Sequence, residues 1–336
     1  MKNRLTELLG IEKPVLEAAM LYLCDANLAA AVSNAGGLGL IGINSNVTAP
    51  QPDAFENGEN LRREIKKLRT LTDKPFAVNY LPSTEDTMRF TTSKAKISFS
   101  DVFKKVIIEE KVPVVVAVST IDNANLAQDF KDFHDNGIIV IYRDLNCTVD
   151  ACVKAAEYGA DAVIVTGAEA GGHSPKWNMS LSTILPMVLE KVKDIPVIGA
   201  GAIVGKAAAA GVCAMGAEGV YCGSVFEVAK ECRAHANYKQ AILDAKGEDI
   251  IRWSSSVSST KLNTIPNLLA RSCAAMAAGG ASAADIGALY NKSVNLAMIE
   301  GDTEHGCIPV SAAVGALKEI KSAKEFVDDI AAGFGA

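Results

Sequence analysis

His173 has the setting in this chain that best suits chemistry, because it follows two glycines at the end of a predicted strand. The apolar run 162–165 is rich in β-branched residues, which indicates a buried strand. Gly171 and Gly172 let a ligand approach the backbone, and the imidazole of His173 can exchange a proton near neutral pH. Because α/β enzymes build sites at the carboxyl ends of strands, His173 is a candidate catalytic residue. Taken alone, this pattern would more simply turn the chain and cap a loop.

Small residues after two later strands indicate a phosphate site. Gly201 follows the predicted strand 195–199, and Gly223 and Ser224 follow the predicted strand 219–222. In a barrel, the loops after the last two strands recurrently bind phosphate, because small residues expose backbone N–H groups there. With Asn79 at the end of the predicted strand 76–80, this arrangement suits a phosphorylated planar cofactor. Tight packing of helix on strand is the alternative for the alanines beside these glycines.

The elements that must position these residues alternate between strand-like and helix-like runs. The predicted strands are 14–20, 38–43, 76–80, 112–118, 138–142, 162–165, 195–199 and 219–222. The predicted helices are 26–35, with Asp25 as N-cap, 59–71, 123–135, 149–158, 181–193 and 204–215. About eight βα units of this kind match the number of units in a TIM (β/α)8 barrel, so the expected fold class is α/β.

The remainder of the chain predicts a helical appendage on the barrel. We expect a barrel over residues 1–225, and an appendage and lid, partly packed on the barrel, over residues 226–336. Helical patterns occur at 229–245, 267–278, 284–300 and 311–330. Residues 246–266 are expected to be exposed and irregular, and the polar segment 81–100 is expected to form a loop over the site.

Composition excludes several classes of protein. The net charge of −6 and the dispersed basic residues argue against nucleic-acid binding. The N-terminus lacks a secretory apolar core and no apolar run is long enough to cross a bilayer, so we expect a cytoplasmic protein without a membrane partner. Eight cysteines without CxxC pairs or Cys/His ligand spacing predict packing residues and no metal site.

Five segments, in order along the barrel, resemble a known flavoprotein family. They are LAAAVSNAGGLGLIG (28–42), KPFAVN (74–79), GADAVIVTGAEAGGH (159–173), IPVIGAG (195–201) and MGAEGVYCGSVF (215–226). The family contains nitronate monooxygenase, formerly 2-nitropropane dioxygenase, and enoyl-acyl-carrier-protein reductase II, which are FMN-dependent TIM-barrel oxidoreductases. The resemblance fades in the last third of the chain.

The resemblance implies that FMN lies across the top of the barrel, so that residues 1–225 would be an FMN-binding barrel. His173 would face the substrate, where it would bind it or move a proton. The residues implied to contact FMN are Met20 and Asn79 at the ring, Gly171 and Gly172 along the cofactor, and Gly201, Gly223 and Ser224 at the phosphate.

Departures from the family pattern leave the substrate open. Ala202 stands where the family has a second glycine, Val225 where it usually has arginine, and Thr166 where it has an acid or amide. The segments 4–14, 71–79 and 234–243 look closer to the enoyl reductase branch. The expected activity is therefore NAD(P)H-dependent reduction of a conjugated, enoyl thioester-type acceptor.

Two alternatives accompany that expectation. One is a nitronate monooxygenase that oxidises alkyl nitronates with FMN and O2, and the distant one is a flavin-binding subunit without turnover. The expected partner is a small molecule such as an acyl thioester, and a homodimer is one option for the assembly. Glu169 is expected to orient its loop by hydrogen bonding, and Arg143 and Asp144 either contact a ligand or pair with each other.

Overall fold

Strands alternate with helices along most of the chain in the computed structural model, which describes residues 2–48, 53–83, 98–255, 257–291 and 293–335. Among these residues the strands are β1 (Val15–Glu17), β2 (Gly39–Ile41), β3 (Phe76–Tyr80), β4 (Val114–Ser119), β5 (Ile139–Asp144), β6 (Ala162–Thr166), β7 (Gly172–Ser174), β8 (Val197–Ala200), β9 (Gly219–Cys222), β10 (Ile251–Ser254) and β11 (Lys261–Thr264). Eight of them are parallel, in the order β1-β9-β8-β6-β5-β4-β3-β2. A parallel bridge between Leu16 and Leu38 joins the two ends of that sheet. The predicted TIM barrel is confirmed.

Helices cover the outside of the barrel and make up much of the last third. They are α1 (Arg4–Leu9), α2 (Ala26–Asn34), α3 (Ala54–Leu71), α4 (Phe99–Glu109), α5 (Leu126–His134), α6 (Val149–Glu157), α7 (Leu181–Lys191), α8 (Lys206–Ala214), α9 (Ser224–Glu227), α10 (Ala236–Asp244), α11 (Leu268–Ala278), α12 (Ala283–Asn291) and α13 (Ala323–Ala331). None of the helices in the described part of the chain combines the length and apolar character needed to span a bilayer.

Local capping explains where several helices begin. As predicted, Asp25 caps α2, and its side chain accepts hydrogen bonds from the next helix N–H groups. The sequence prediction assigned residues 81–100 to a loop and no element to 101–111, yet α4 occupies Phe99–Glu109. A capping box of Ser98 and Asp101 starts it, a signal that can be read from sequence. Of the predicted loop 81–100, residues 84–97 lie outside the described part.

The strand interiors form one continuous hydrophobic core. All six residues of β4 and all five of β6 are buried, as expected for parallel strands covered on both faces. Burying one such valine or isoleucine side chain contributes roughly 1.5–3 kcal/mol. The barrel is therefore a rigid support for side chains at its carboxyl-terminal end.

The prediction that residues 246–266 are exposed and irregular is wrong. β10 and β11 form an antiparallel hairpin in this segment, and β11 also pairs with β7, which places Leu262 opposite His173. Trp253 and Leu262 are buried. The hairpin strands have four residues each, too few for a clear alternation, and their partner β7 is distant in sequence.

The last part of the chain packs closely on the glycine loop that precedes β7. The N–H of Ala312 donates to the carbonyl of Glu169, and the N–H of Ser311 donates to the hydroxyl of Ser224 at 3.0 Å. A Cβ on Gly171 would lie 2.7 Å from the nitrogen of Ser311. These contacts join the segment after residue 225 to the barrel, while a domain boundary at 225 stays a prediction.

We expect Gly171→Ala to lower the free energy of unfolding by about 1–3 kcal/mol, because the new methyl group overlaps the backbone of residues 310 and 311. Gly211→Ala is the matched control, since a Cβ there meets nothing within 4 Å in the interior of α8. The control should be neutral or slightly stabilising. Urea unfolding of both variants checks this, and equal stability of Gly171→Ala and wild type would contradict the close approach.

Candidate functional site

A cavity of about 550 Å³ at the carboxyl ends of the barrel strands brings together every predicted site residue. Met20, Asn79, Gly171, Gly172, His173, Gly201, Gly223 and Ser224 all line it. They come from the ends of β1, β3, β8 and β9 and from the loop and short strand after β6. The individual role of each residue stays a prediction.

His173 is held from three directions. Its carbonyl accepts a hydrogen bond of 2.6 Å from Nη2 of Arg143, which lies near the end of β5. Nδ1 lies 3.0 Å from Oγ1 of Thr260 and 3.2 Å from Oγ of Ser255, both in the hairpin. The edge of the ring faces Tyr290, with the centroids 6.1 Å apart. The ring is thus oriented by residues that the sequence prediction missed, since more than 80 residues separate them from His173.

The electrostatics of the site keep His173 neutral. Burial, and secondly the positive charge of Arg143, lowers the pKa of His173 from its ordinary value of 6.5 to about 4. At neutral pH the ring therefore offers one N–H donor and one nitrogen acceptor.

Two buried polar atoms in the cavity wall have no hydrogen-bond partner among the described residues. They are Oγ1 of Thr166, at the end of β6, and Oε2 of Glu227, in α9. Burial raises the pKa of Glu227 to about 8, so its carboxyl group carries a proton at neutral pH. Nδ2 of Asn79 donates to the carbonyl of Val116 at 3.2 Å, which leaves the amide oxygen to a ligand. Such orphaned atoms indicate that a polar ligand belongs in the cavity.

The lining fits FMN. Gly201, at φ 126°, has a backbone conformation that favours glycine, and a Cβ on Gly223 would meet nothing closer than 3.5 Å, so a ligand can approach both backbones. Ser224 accepts from Ser311, which leaves its hydroxyl hydrogen free to donate. Apolar side chains and the unpartnered hydroxyl of Thr166 suit the faces and the polar edge of a flavin ring.

Two further expectations are settled by geometry. Oε1 of Glu169 accepts from the N–H of Leu181 at 2.8 Å, so this residue orients its loop as predicted. Arg143 and Asp144 make separate contacts, because Asp144 accepts from the hydroxyl of Tyr142 and the N–H of Asn146 while Arg143 lines the cavity.

Comparisons with known proteins agree on one family. A family model described as nitronate monooxygenase matches residues 2–333. A probable nitronate monooxygenase of Staphylococcus aureus (strain MRSA252) is 29% identical over 283 residues, and the match covers 74% of each chain. The structure of FabK from Thermotoga maritima is 32% identical, with a TM-score of 0.84 over 100% of this chain and 96% of that one. Nitroalkane oxidase from Streptomyces ansochromogenes, 24% identical with a TM-score of 0.78 over 99% and 98% of the chains, shares the fold.

We expect acid to destabilise the wild type more than His173→Gln. Between a folded pKa of about 4 and an unfolded value of 6.5, the unfolded chain binds more protons, so stability falls as the pH drops through this window. From pH 7.5 to pH 5 the wild type should lose about 2 kcal/mol more than the variant, whose side chain does not titrate. Urea unfolding at both pH values measures this, and parallel pH dependences would contradict it.

Ala202→Gly should raise the free energy of unfolding by up to about 1 kcal/mol. Ala202 has φ 53°, where a Cβ costs about 1–2 kcal/mol, and glycine removes that strain at a smaller entropic cost. Ala275→Gly, at an exposed position inside α11, is the control and should lose about 1 kcal/mol. Thermal unfolding compares the two, and a loss of stability in both would show that Ala202 is not strained.

Proposed function

This chain belongs to the nitronate monooxygenase family of FMN-dependent oxidoreductases, and we propose that within it the protein is an NAD(P)H-dependent reductase of a conjugated acceptor of the enoyl thioester type. The similarity to FabK, the enoyl-acyl-carrier-protein reductase II, carries the proposal because its identity of 32% and TM-score of 0.84 exceed the 24% and 0.78 of the nitroalkane oxidase structure. The curated nitronate monooxygenase relatives match 74% of the chain. The reductase-like segments 4–14, 71–79 and 234–243 also support the choice.

The overall reaction is a two-electron reduction. NAD(P)H and one proton reduce the carbon–carbon double bond of the thioester, and the nicotinamide leaves oxidised. FMN, when bound, supplies the redox chemistry that links the two half-reactions. The residues proposed to hold it are Met20, Asn79, Gly171, Gly172, Gly201, Gly223 and Ser224.

The chain itself binds and orients the substrate. The largely apolar lining, which includes Leu21, Ile43 and Val118, accepts an acyl chain and excludes water. His173 stays neutral and lies beside the bound substrate and nicotinamide. We further place the enzyme in the cytoplasm with small-molecule partners, and propose the homodimer as an assembly to test by size.

Nitronate oxidation is the second candidate, because the family model that matches residues 2–333 is that of nitronate monooxygenase. In that reaction an alkyl nitronate is oxidised and O2 is reduced. Here His173 would bind the nitronate, or take the α-proton from a neutral nitroalkane and so form the nitronate. The two candidates share the cofactor and differ in the electron donor.

Anaerobic stopped-flow absorbance of the FMN-loaded enzyme distinguishes them. We expect NADH or NADPH to bleach the flavin band rapidly, and an enoyl thioester, but not buffer, to restore it. A matched syringe containing a saturated thioester is the control. Bleaching by a nitronate and by neither nucleotide would overturn the reductase proposal and assign nitronate oxidation.

A further inference from the structure

We propose that Thr260 is a positioning residue that holds His173 in the tautomer protonated at Nδ1, so that Nε2 presents a lone pair to the cavity. Thr260 is fully buried in the turn between β10 and β11, and its Oγ1 lies 3.0 Å from Nδ1. The inference concerns the ring itself and therefore holds for either reaction of the family.

The hydroxyl hydrogen of Thr260 has an acceptor other than the imidazole. Oγ1 donates to the carbonyl of Val257 at 2.8 Å, whose other lone pair accepts the N–H of Thr260 at 2.9 Å, and a hydroxyl has one hydrogen to give. In this arrangement Oγ1 accepts from the imidazole. A contact of 3.0 Å between Oγ1 and Nδ1 is a hydrogen bond only if Nδ1 carries the proton.

Ser255 does not reverse this assignment. Its Oγ accepts from the N–H of Val257 at 3.1 Å and lies 3.2 Å from Nδ1, where it can accept or donate. If it donated to Nδ1, the lone pairs of Nδ1 and Thr260 would face each other at 3.0 Å. That arrangement leaves two buried acceptors facing each other with no hydrogen between them, which is unfavourable. Protonation at Nδ1 avoids this cost.

The rest of the surroundings fix the ring without contacting Nε2. Pairing of β7 with β11 sets the backbone, Arg143 of β5 binds the carbonyl, and Tyr290 of α12 faces the edge of the ring. The positive charge of Arg143 lowers the pKa of the ring. Burial raises the pKa of Tyr290, so this residue is neutral, and the groups that the hairpin places near Nδ1 are hydroxyls. Nε2 has no hydrogen-bond partner among the described residues.

In this tautomer, Nε2 of His173 can only accept a hydrogen bond or a proton from a group in the cavity. The group that His173 contacts must then present an N–H, an O–H or an acidic C–H, and a carbonyl oxygen cannot be its partner. A carboxamide N–H of a nicotinamide fits the reductase, and the acidic α C–H of a neutral nitroalkane, the conjugate acid of a nitronate, fits the second candidate. Thr260 thus selects which atom of the substrate or donor His173 recognises.

Nitrogen NMR of the FMN-loaded enzyme, labelled with 15N at its histidine rings, tests the proposal. The chain has four histidines, and the spectrum of His173→Gln identifies the signals of His173. We expect a proton-bearing Nδ1 and an unprotonated Nε2 at pH 7.5. Thr260→Ser, which keeps the hydroxyl, should preserve this pattern, whereas Thr260→Val should shift the ring toward protonation at Nε2.

Two results would overturn the proposal: a wild-type ring protonated at Nε2, or a Thr260→Val ring that remains protonated at Nδ1 alone. If Thr260→Val does not fold, the wild-type spectrum and a changed tautomer in Thr260→Ser still decide it. No turnover is required, so the result is independent of which electron donor the stopped-flow experiment identifies.

Discussion

The antiparallel pairing of β7 with β11 is the interaction on which the site depends. It joins residues 172–174 to residues 261–263, and so turns a glycine-rich loop into a strand of fixed register. Asn263 of β11 adds side-chain hydrogen bonds to the carbonyls of Ala168 and Ala170, at 2.8 and 2.6 Å. Ordering each backbone residue costs about 1–2 kcal/mol, and these bonds, with the burial of Leu262 and Trp253, offset it.

Burial controls the charge of the groups around the cavity. It raises the pKa of Glu227 to about 8 and lowers that of His173 to about 4, so both side chains are neutral at pH 7. Burial also raises the pKa of Glu17, in β1, to about 8. Its Oε2 accepts a hydrogen bond from the N–H of Leu40. Arg143 binds the backbone carbonyl of His173. Two of the polar side chains that line the cavity are therefore neutral hydrogen-bonding groups.

The sequence predicts the barrel well because each of its strands is a local, apolar run. The bounds of β3 and β9 agree with the prediction residue for residue, whereas β1 ends at Glu17, three residues earlier than expected. All predicted site residues line one cavity, since the ends of parallel strands meet at one edge. The hairpin was missed because its strands are stabilised by a partner far along the chain. Thr260 and Ser255 were missed for the same reason, because no local pattern connects a hydroxyl with an imidazole 82 or more residues away.

The lining around Gly223 and Ser224 shows how the departures from the family pattern fit together. Val225, where arginine is usual, is buried and brings no positive charge, and Glu227 follows it in the same short helix. A phosphate held near Gly223 and Ser224 would therefore rely on backbone N–H groups and a hydroxyl. An ionised carboxylate on that helix would repel it, at an energy that low dielectric increases. The buried, protonated state of Glu227 would remove this repulsion from a phosphate bound there.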